Sequence, residues 1–195
     1  MQLNLPNLLT WLRILTIPVL VAFFYLPDSW FSLREKNLIT TVLFTAAAIT
    51  DWLDGYLARK WNQTSAFGAF LDPVADKLMV AAALIVLVDL NRLDGVDAIV
   101  AFIIIGREIA ISALREWMAQ VGQAKSVAVN FLGKIKTVSQ LIAIPMLLYD
   151  EPIGAFDPAR IGTWLIYVAA VLTLLSMFYY LKLAAPHAFA RQSKT

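Results

Sequence analysis

An all-α integral membrane protein, with six transmembrane helices around a polar cavity, is the fold this sequence predicts, and three observations predict it. The 195-residue chain is 60% hydrophobic and only 15% charged, and its mean hydropathy of +0.71 is far from that of a water-soluble domain. Six apolar stretches, about 8 to 26, 38 to 58, 68 to 90, 96 to 118, 133 to 149 and 161 to 185, each approach the roughly 20 residues a helix needs to cross the hydrocarbon core. Their connections are short, so residues 1–195 are expected to form one membrane domain.

The first stretch begins LNLPNLLTWLRI, with Pro6 near the helix start, where a missing N–H costs little. Asn7, Thr10 and Arg13 then enter the span. They suit either capping and snorkelling at the interface or a direct part in a polar site. Pro18 predicts a bend. The N-terminus has no basic n-region and no small-residue cleavage site, so this span is expected to be retained. Pro27, Asp28 and Ser29 mark a surface loop, with Trp30 and Phe31 as interfacial anchors.

The second stretch is apolar from Leu38 to Ile49 and then carries Asp51 and Asp54 at its C-terminal end. The third reverses this order: Asp72, Asp76 and Lys77 precede the run LMVAAALIVLV. Eleven residues cannot cross a bilayer, so the acidic part must lie at membrane depth inside the bundle. Pro73 suits a first helical turn, which predicts a kink or a short irregular turn if the helix starts as early as Gly68. The fourth stretch opens AIVAFIII and continues through Gly106, Arg107, Glu108, Arg115 and Glu116. The fifth opens with Lys134 and Lys136, turns apolar after Gln140 and bends at Pro145. The sixth, with Tyr167, Met177, Tyr179 and Tyr180, has no charge before Lys182 and is expected to serve packing or a dimer contact.

Because consecutive spans alternate in direction, the polar ends of the second to fifth all fall on one side. If the N-terminus is cytoplasmic, twelve of the sixteen Lys and Arg lie on that side, and only Arg34, Lys36, Arg92 and Arg160 lie opposite. That asymmetry places both termini, and the mouth of the polar cavity, in the cytoplasm. The absence of cysteine excludes disulfide and thiol chemistry. No repeat or low-complexity tract is present.

The chain is organised around Thr50 to Lys77, which gathers Asp51, Asp54, Asp72 and Asp76 beside Arg59, Gly55 and Gly68. At about 100° per residue, Asp51, Asp54, Gly55 and Ala58 share one helix face, and Gly68, Asp72 and Asp76 share a face of the next. Two unit charges 4 Å apart interact by about 4 kcal/mol at an effective dielectric near 20, so converging carboxylates need cations or protons between them. Oxygen-only ligands favour Mg²⁺ or Mn²⁺ over zinc. Gly55 and Ala58 leave room for a ligand, or for a neighbouring helix, to approach the backbone.

The spacing D-x2-D-G-x2-A-R-x8-G-x3-D-x3-D, filled here by Asp51, Asp54, Gly55, Ala58, Arg59, Gly68, Asp72 and Asp76, resembles the signature of the CDP-alcohol phosphotransferase family without a departure. LNLPNLLTWLRI, GREIAISALREW and SVAVNFLGKIKT extend the resemblance over most of the chain, toward bacterial members that use glycerol 3-phosphate. The resemblance implies transfer of the phosphatidyl group from CDP-diacylglycerol to the primary hydroxyl of sn-glycerol 3-phosphate, with release of CMP. It implies two divalent ions held by Asp51, Asp54, Asp72 and Asp76, with Asp76 also acting as base. The CDP moiety would lie against Asp54, Gly55, Ala58, Arg59 and Gly68. A multi-pass location in the bacterial inner membrane, among membrane lipids, and a homodimer are implied as well. No nucleic acid partner is expected.

An acceptor dianion calls for guanidinium and ammonium groups. Arg107 and Arg115, eight residues apart near one helix face, meet that need; Lys125 is a loop candidate. Lys134 and Lys136 differ by two residues and should face different ways. Each of these cations could instead set topology or pair with Glu108, Glu116 or anionic headgroups. Two rivals stand beside this reading. The same chemistry could serve phosphatidylglycerol, serine or an inositol phosphate as acceptor. Alternatively, intramembrane acids could serve a metal-ion transporter, which would call for discontinuous helices in symmetric halves.

Overall fold

The structure, a computed structural model, describes residues 5–61, 66–93, 95, 97–123 and 131–189, and the backbone alone at 5–7, 54–59, 61, 66, 67, 69, 97, 132, 188 and 189. Among the described residues it is all-helical: α1 (Leu5–Phe24), α2 (Leu33–Trp61), α3 (Ala66–Asp89), α4 (Asp97–Gln120), α5 (Phe131–Tyr149) and α6 (Pro158–Phe189).

Local chemistry sets several of these boundaries. The α2 start is a capping box: the Ser32 N–H and Oγ both donate to Glu35 Oε2, at 2.8 and 2.7 Å. That double hydrogen bond holds the Glu35 carboxyl below its usual pKa. Asn91, at φ 52°, closes α3 in the left-handed conformation, with the Arg92 N–H returning to the Leu87 carbonyl at 3.0 Å. The α6 N-terminus is capped by Asp157, which accepts the Arg160 N–H at 3.1 Å.

Pro18, Pro73 and Pro145 all lie inside unbroken helices. The irregular turn expected at Pro73 is therefore absent. Its ring sits on an exposed face, and a proline there removes one backbone hydrogen bond without breaking the helix.

The bundle buries Leu20, Phe44, Leu87, Ile104, Ile144 and Ile166, one from each helix in turn. α1 packs on α2 and α3, α2 on α5, α3 on α4, and α4 and α5 on α6. α5 and α6 approach tightly at Gly162, where an added Cβ would stand 2.8 Å from Leu147 Cγ and 3.1 Å from the Ala143 carbonyl oxygen. Tyr180 and Ala184 of α6 join Ile111 and Met118 of α4 in a second, smaller cluster.

The outer surface is apolar. Leu15, Val42, Ile85, Phe102, Ile142 and Phe178 are all exposed, one on each helix. Surfaces this apolar mark contact with lipid or another apolar partner. Among the described residues one helix, Pro158–His187, is long and apolar enough to cross a membrane, and Leu8–Phe24 is a shorter apolar helix. The chain is thus an all-α, membrane-associated protein. Charged residues interrupt the other helices: α2, α3 and α4 carry four or more each, and α5 carries Lys134 and Lys136.

Candidate active site

The starts of α1, α3 and α5 and the ends of α2, α4 and α6 bring the polar residues to one end of the bundle. There, Arg13 of α1, whose side chain is wholly buried, places Nη1 2.5 Å from Asp51 Oδ1 of α2 and 3.0 Å from Asp76 Oδ1 of α3. Two carboxylates from neighbouring helices thus meet on one nitrogen. One turn earlier on α1, buried Thr10 donates to Asp72 Oδ1 at 2.6 Å. Gly68, on the same α3 face as Asp72, is buried. Thr10 and Arg13, which sequence left open between interface and site, therefore sit among the acids. The signal was present in the sequence: Arg13 is the only charged residue in an apolar span, and such a charge requires a partner.

Lys125 and the side chains of Asn7, Asp54, Ala58 and Arg59 lie outside the described residues, and Gly55 is described by its backbone alone. Among the described residues, no group of three or more acids is set to hold a metal ion. The donor set still suits a hard cation: every donor is an oxygen, and the meeting point of Asp51 and Asp76 already takes a positive charge.

A second constellation adjoins the first. Lys136 of α5, buried, pairs with Glu108 of α4, and Arg107 Nη1 lies 3.5 Å from the same carboxylate oxygen. Arg107 also donates from Nη2 to Ser176 Oγ of α6 at 2.8 Å. Arg115 donates to Tyr180 Oη at 3.2 Å. Both guanidiniums stand near the Tyr180 ring, 5.8 and 5.2 Å from its centroid. α6 thus positions the two arginines of α4, beyond the packing role read from its sequence. Lys134 is exposed whereas Lys136 is buried, so the two do point apart.

Asp76 joins the two constellations. It lines a cavity of about 100 Å³ with Asp51 and Met79. It also lines one of about 200 Å³ with Lys77, Glu108, Lys136, Thr137 and Gln140. Sequence reasoning passed over Glu108 as an organiser, and Lys77 and Gln140 as lining residues. Only their spacing on helices that face one another could have signalled them.

A family model described as CDP-alcohol phosphatidyltransferase matches residues 3–175. The chain belongs to that family and is a transferase. It is 48% identical over 184 residues to a protein of Salmonella choleraesuis (strain SC-B67) named CDP-diacylglycerol--glycerol-3-phosphate 3-phosphatidyltransferase, covering 94% of this chain and 96% of that one. Proteins of the same name from Shigella flexneri serotype 5b (strain 8401), 47% identical over 94% of this chain and 96% of theirs, and Sodalis glossinidius (strain morsitans), 49% identical over 93% and 94%, are similarly alike.

Proposed function

We propose that the protein transfers the phosphatidyl group of CDP-diacylglycerol to the primary hydroxyl of sn-glycerol 3-phosphate, giving phosphatidylglycerophosphate and CMP. Family membership and near full-length relatives bearing that name support the reaction. The observation that carries the reading is the meeting of Asp51 and Asp76, from α2 and α3, on Arg13, with Asp72 held alongside by Thr10.

In this reading the acceptor oxygen bonds to the phosphorus that carries the diacylglycerol. The bond from that phosphorus to the bridging oxygen breaks, and CMP leaves with the electron pair. The hydroxyl proton passes to Asp76, which lines the cavity beside Lys77 and Lys136. Asp51, Asp54, Asp72 and Asp76 would hold two divalent ions, Mg²⁺ or Mn²⁺; such ions, when bound, neutralise a diphosphate and stabilise its leaving group. Asp54, Gly55, Ala58, Arg59 and Gly68 would take the CDP moiety. Arg107, Arg115, Lys136, Lys134 and Lys125 are the candidates for the acceptor phosphate. Of these, Arg107 and Lys136 share Glu108, and Lys136 and Glu108 line the cavity.

All six helices would span the bacterial inner membrane, since each exposes large apolar side chains. Both termini and the site would face the cytoplasm, and the enzyme would be a homodimer. The test is CMP release by the purified protein given CDP-diacylglycerol, Mg²⁺ and one acceptor at a time. Release is expected with glycerol 3-phosphate; release with serine, inositol phosphate or phosphatidylglycerol instead would reassign the acceptor.

A further inference from the structure

Gln140 stands apart from its surroundings. It lies on α5 one turn beyond Lys136, is 4% exposed, and lines the cavity of about 200 Å³ between α3, α4 and α5. Its amide Nε2 is buried without a hydrogen-bond partner. A buried donor left unmade is costly, and native interiors contain few of them. The other polar groups around this cavity are four charged ones, Asp76, Lys77, Glu108 and Lys136, and the Thr137 hydroxyl. Cations suit a phosphate and a carboxylate suits a hydroxyl about to lose its proton. A carboxamide carries no charge, but offers both N–H donors and a carbonyl acceptor, which is what a neutral hydroxyl requires. A space of about 200 Å³ also exceeds the share of about 30 Å³ that one liquid water occupies.

We propose that Gln140 recognises a secondary hydroxyl on the acceptor, so that the enzyme selects a polyol phosphate whose second hydroxyl adjoins the reacting one. The inference rests on the glycerol 3-phosphate reading above and adds to it a specificity-determining residue. With the reacting hydroxyl at Asp76 and the phosphate toward Lys136, the middle of the acceptor falls to the α5 wall. There Gln140 and Thr137, three residues apart, face the cavity together.

The experiment compares two acceptors, glycerol 3-phosphate and 3-hydroxypropyl phosphate, which lacks only the secondary hydroxyl. CMP release with CDP-diacylglycerol is measured for the wild type, Gln140→Leu and Gln140→Ala. The wild type is expected to favour glycerol 3-phosphate about five- to tenfold in kcat/KM, the range of one hydrogen bond. In both variants the ratio should fall below about twofold, through loss of turnover with glycerol 3-phosphate alone. Each ratio is read within one preparation, so any unfolded fraction cancels. Where turnover is too slow, the rise in melting temperature with each acceptor supplies the same comparison. A ratio unchanged in the variants, or no discrimination by the wild type, overturns the role of Gln140 and leaves the reaction standing. Absence of CMP with either acceptor in the wild type overturns the reaction itself, and this inference with it.

Discussion

Arg13→Met tests whether the acids form one electrostatic unit. The wild-type side chain is 0% exposed and bridges Asp51 and Asp76, which are 35% and 47% exposed. Removing one partner of a fully buried ion pair costs about 3–5 kcal/mol. The half-open carboxylates regain water, so the expected loss is smaller, about 2–3 kcal/mol. At about 2–4 °C per kcal/mol for a chain of this size, the melting temperature in detergent with EDTA should fall by roughly 4–12 °C. The response to Mg²⁺ should change in the opposite direction. An ion that binds only the folded protein raises stability by RT ln(1 + [L]/Kd), and without Arg13 it no longer competes with a guanidinium for Asp51 and Asp76. The variant should therefore gain more from Mg²⁺ than the wild type does. An unchanged melting temperature in EDTA would refute the bridge, and an equal or smaller gain from Mg²⁺ would refute the competition.

Three further outcomes are expected. Gly162→Leu should lower stability by about 1–3 kcal/mol, read by thermal unfolding, because the new side chain meets Leu147 and the Ala143 carbonyl of α5. Tyr180→Leu should raise the KM for glycerol 3-phosphate several-fold and leave that for CDP-diacylglycerol nearly unchanged, since the ring stands beside Arg107 and Arg115 and its hydroxyl accepts from Arg115. At the far end of the bundle, burial pushes the Asp150 carboxyl above its ordinary pKa, against the pull of Arg92. A group so raised contributes fully below its unfolded pKa and loses that contribution as pH rises through its folded one. Asp150→Asn should therefore gain in melting temperature relative to the wild type between about pH 4 and pH 7.

The six helices were legible because a span must be apolar for about twenty residues, and the stretch boundaries fall within a few residues of α1 to α6. The approach of Asp51 to Asp76 was legible because Asp51 lies in the C-terminal half of one helix and Asp76 in the N-terminal half of the next. Less legible was what holds the acids in place. Arg13 is 38 residues from Asp51 and 63 from Asp76, and no local pattern connects them; only the packing of α1 on α2 and α3 does. Glu108 read as a pairing partner for any of the cations until α5 set Lys136 against it. The basic residues at the other end of the bundle were likewise read only as topology. Lys36 instead holds the α1 C-terminus, donating to the Phe24 and Leu26 carbonyls at 3.4 and 2.5 Å. Arg92 does the same for α5 at the Leu147 and Leu148 carbonyls, at 3.1 and 2.8 Å.

The two constellations divide the bundle end by helix. α1, α2 and α3 supply Thr10, Arg13, Asp51, Asp72 and Asp76, a mainly acidic half. α4, α5 and α6 supply Arg107, Arg115, Lys136 and Tyr180 around Glu108, a mainly basic half. Cations suit an anionic acceptor directly, whereas an acidic half can accept a diphosphate only if further positive charge comes with it. The halves therefore need different company, and a reaction joining their ligands must occur where they touch. Asp76 lines both adjoining cavities. In the proposed reaction a base placed there would reach the acceptor hydroxyl without leaving the diphosphate's side, the geometry that a direct displacement calls for.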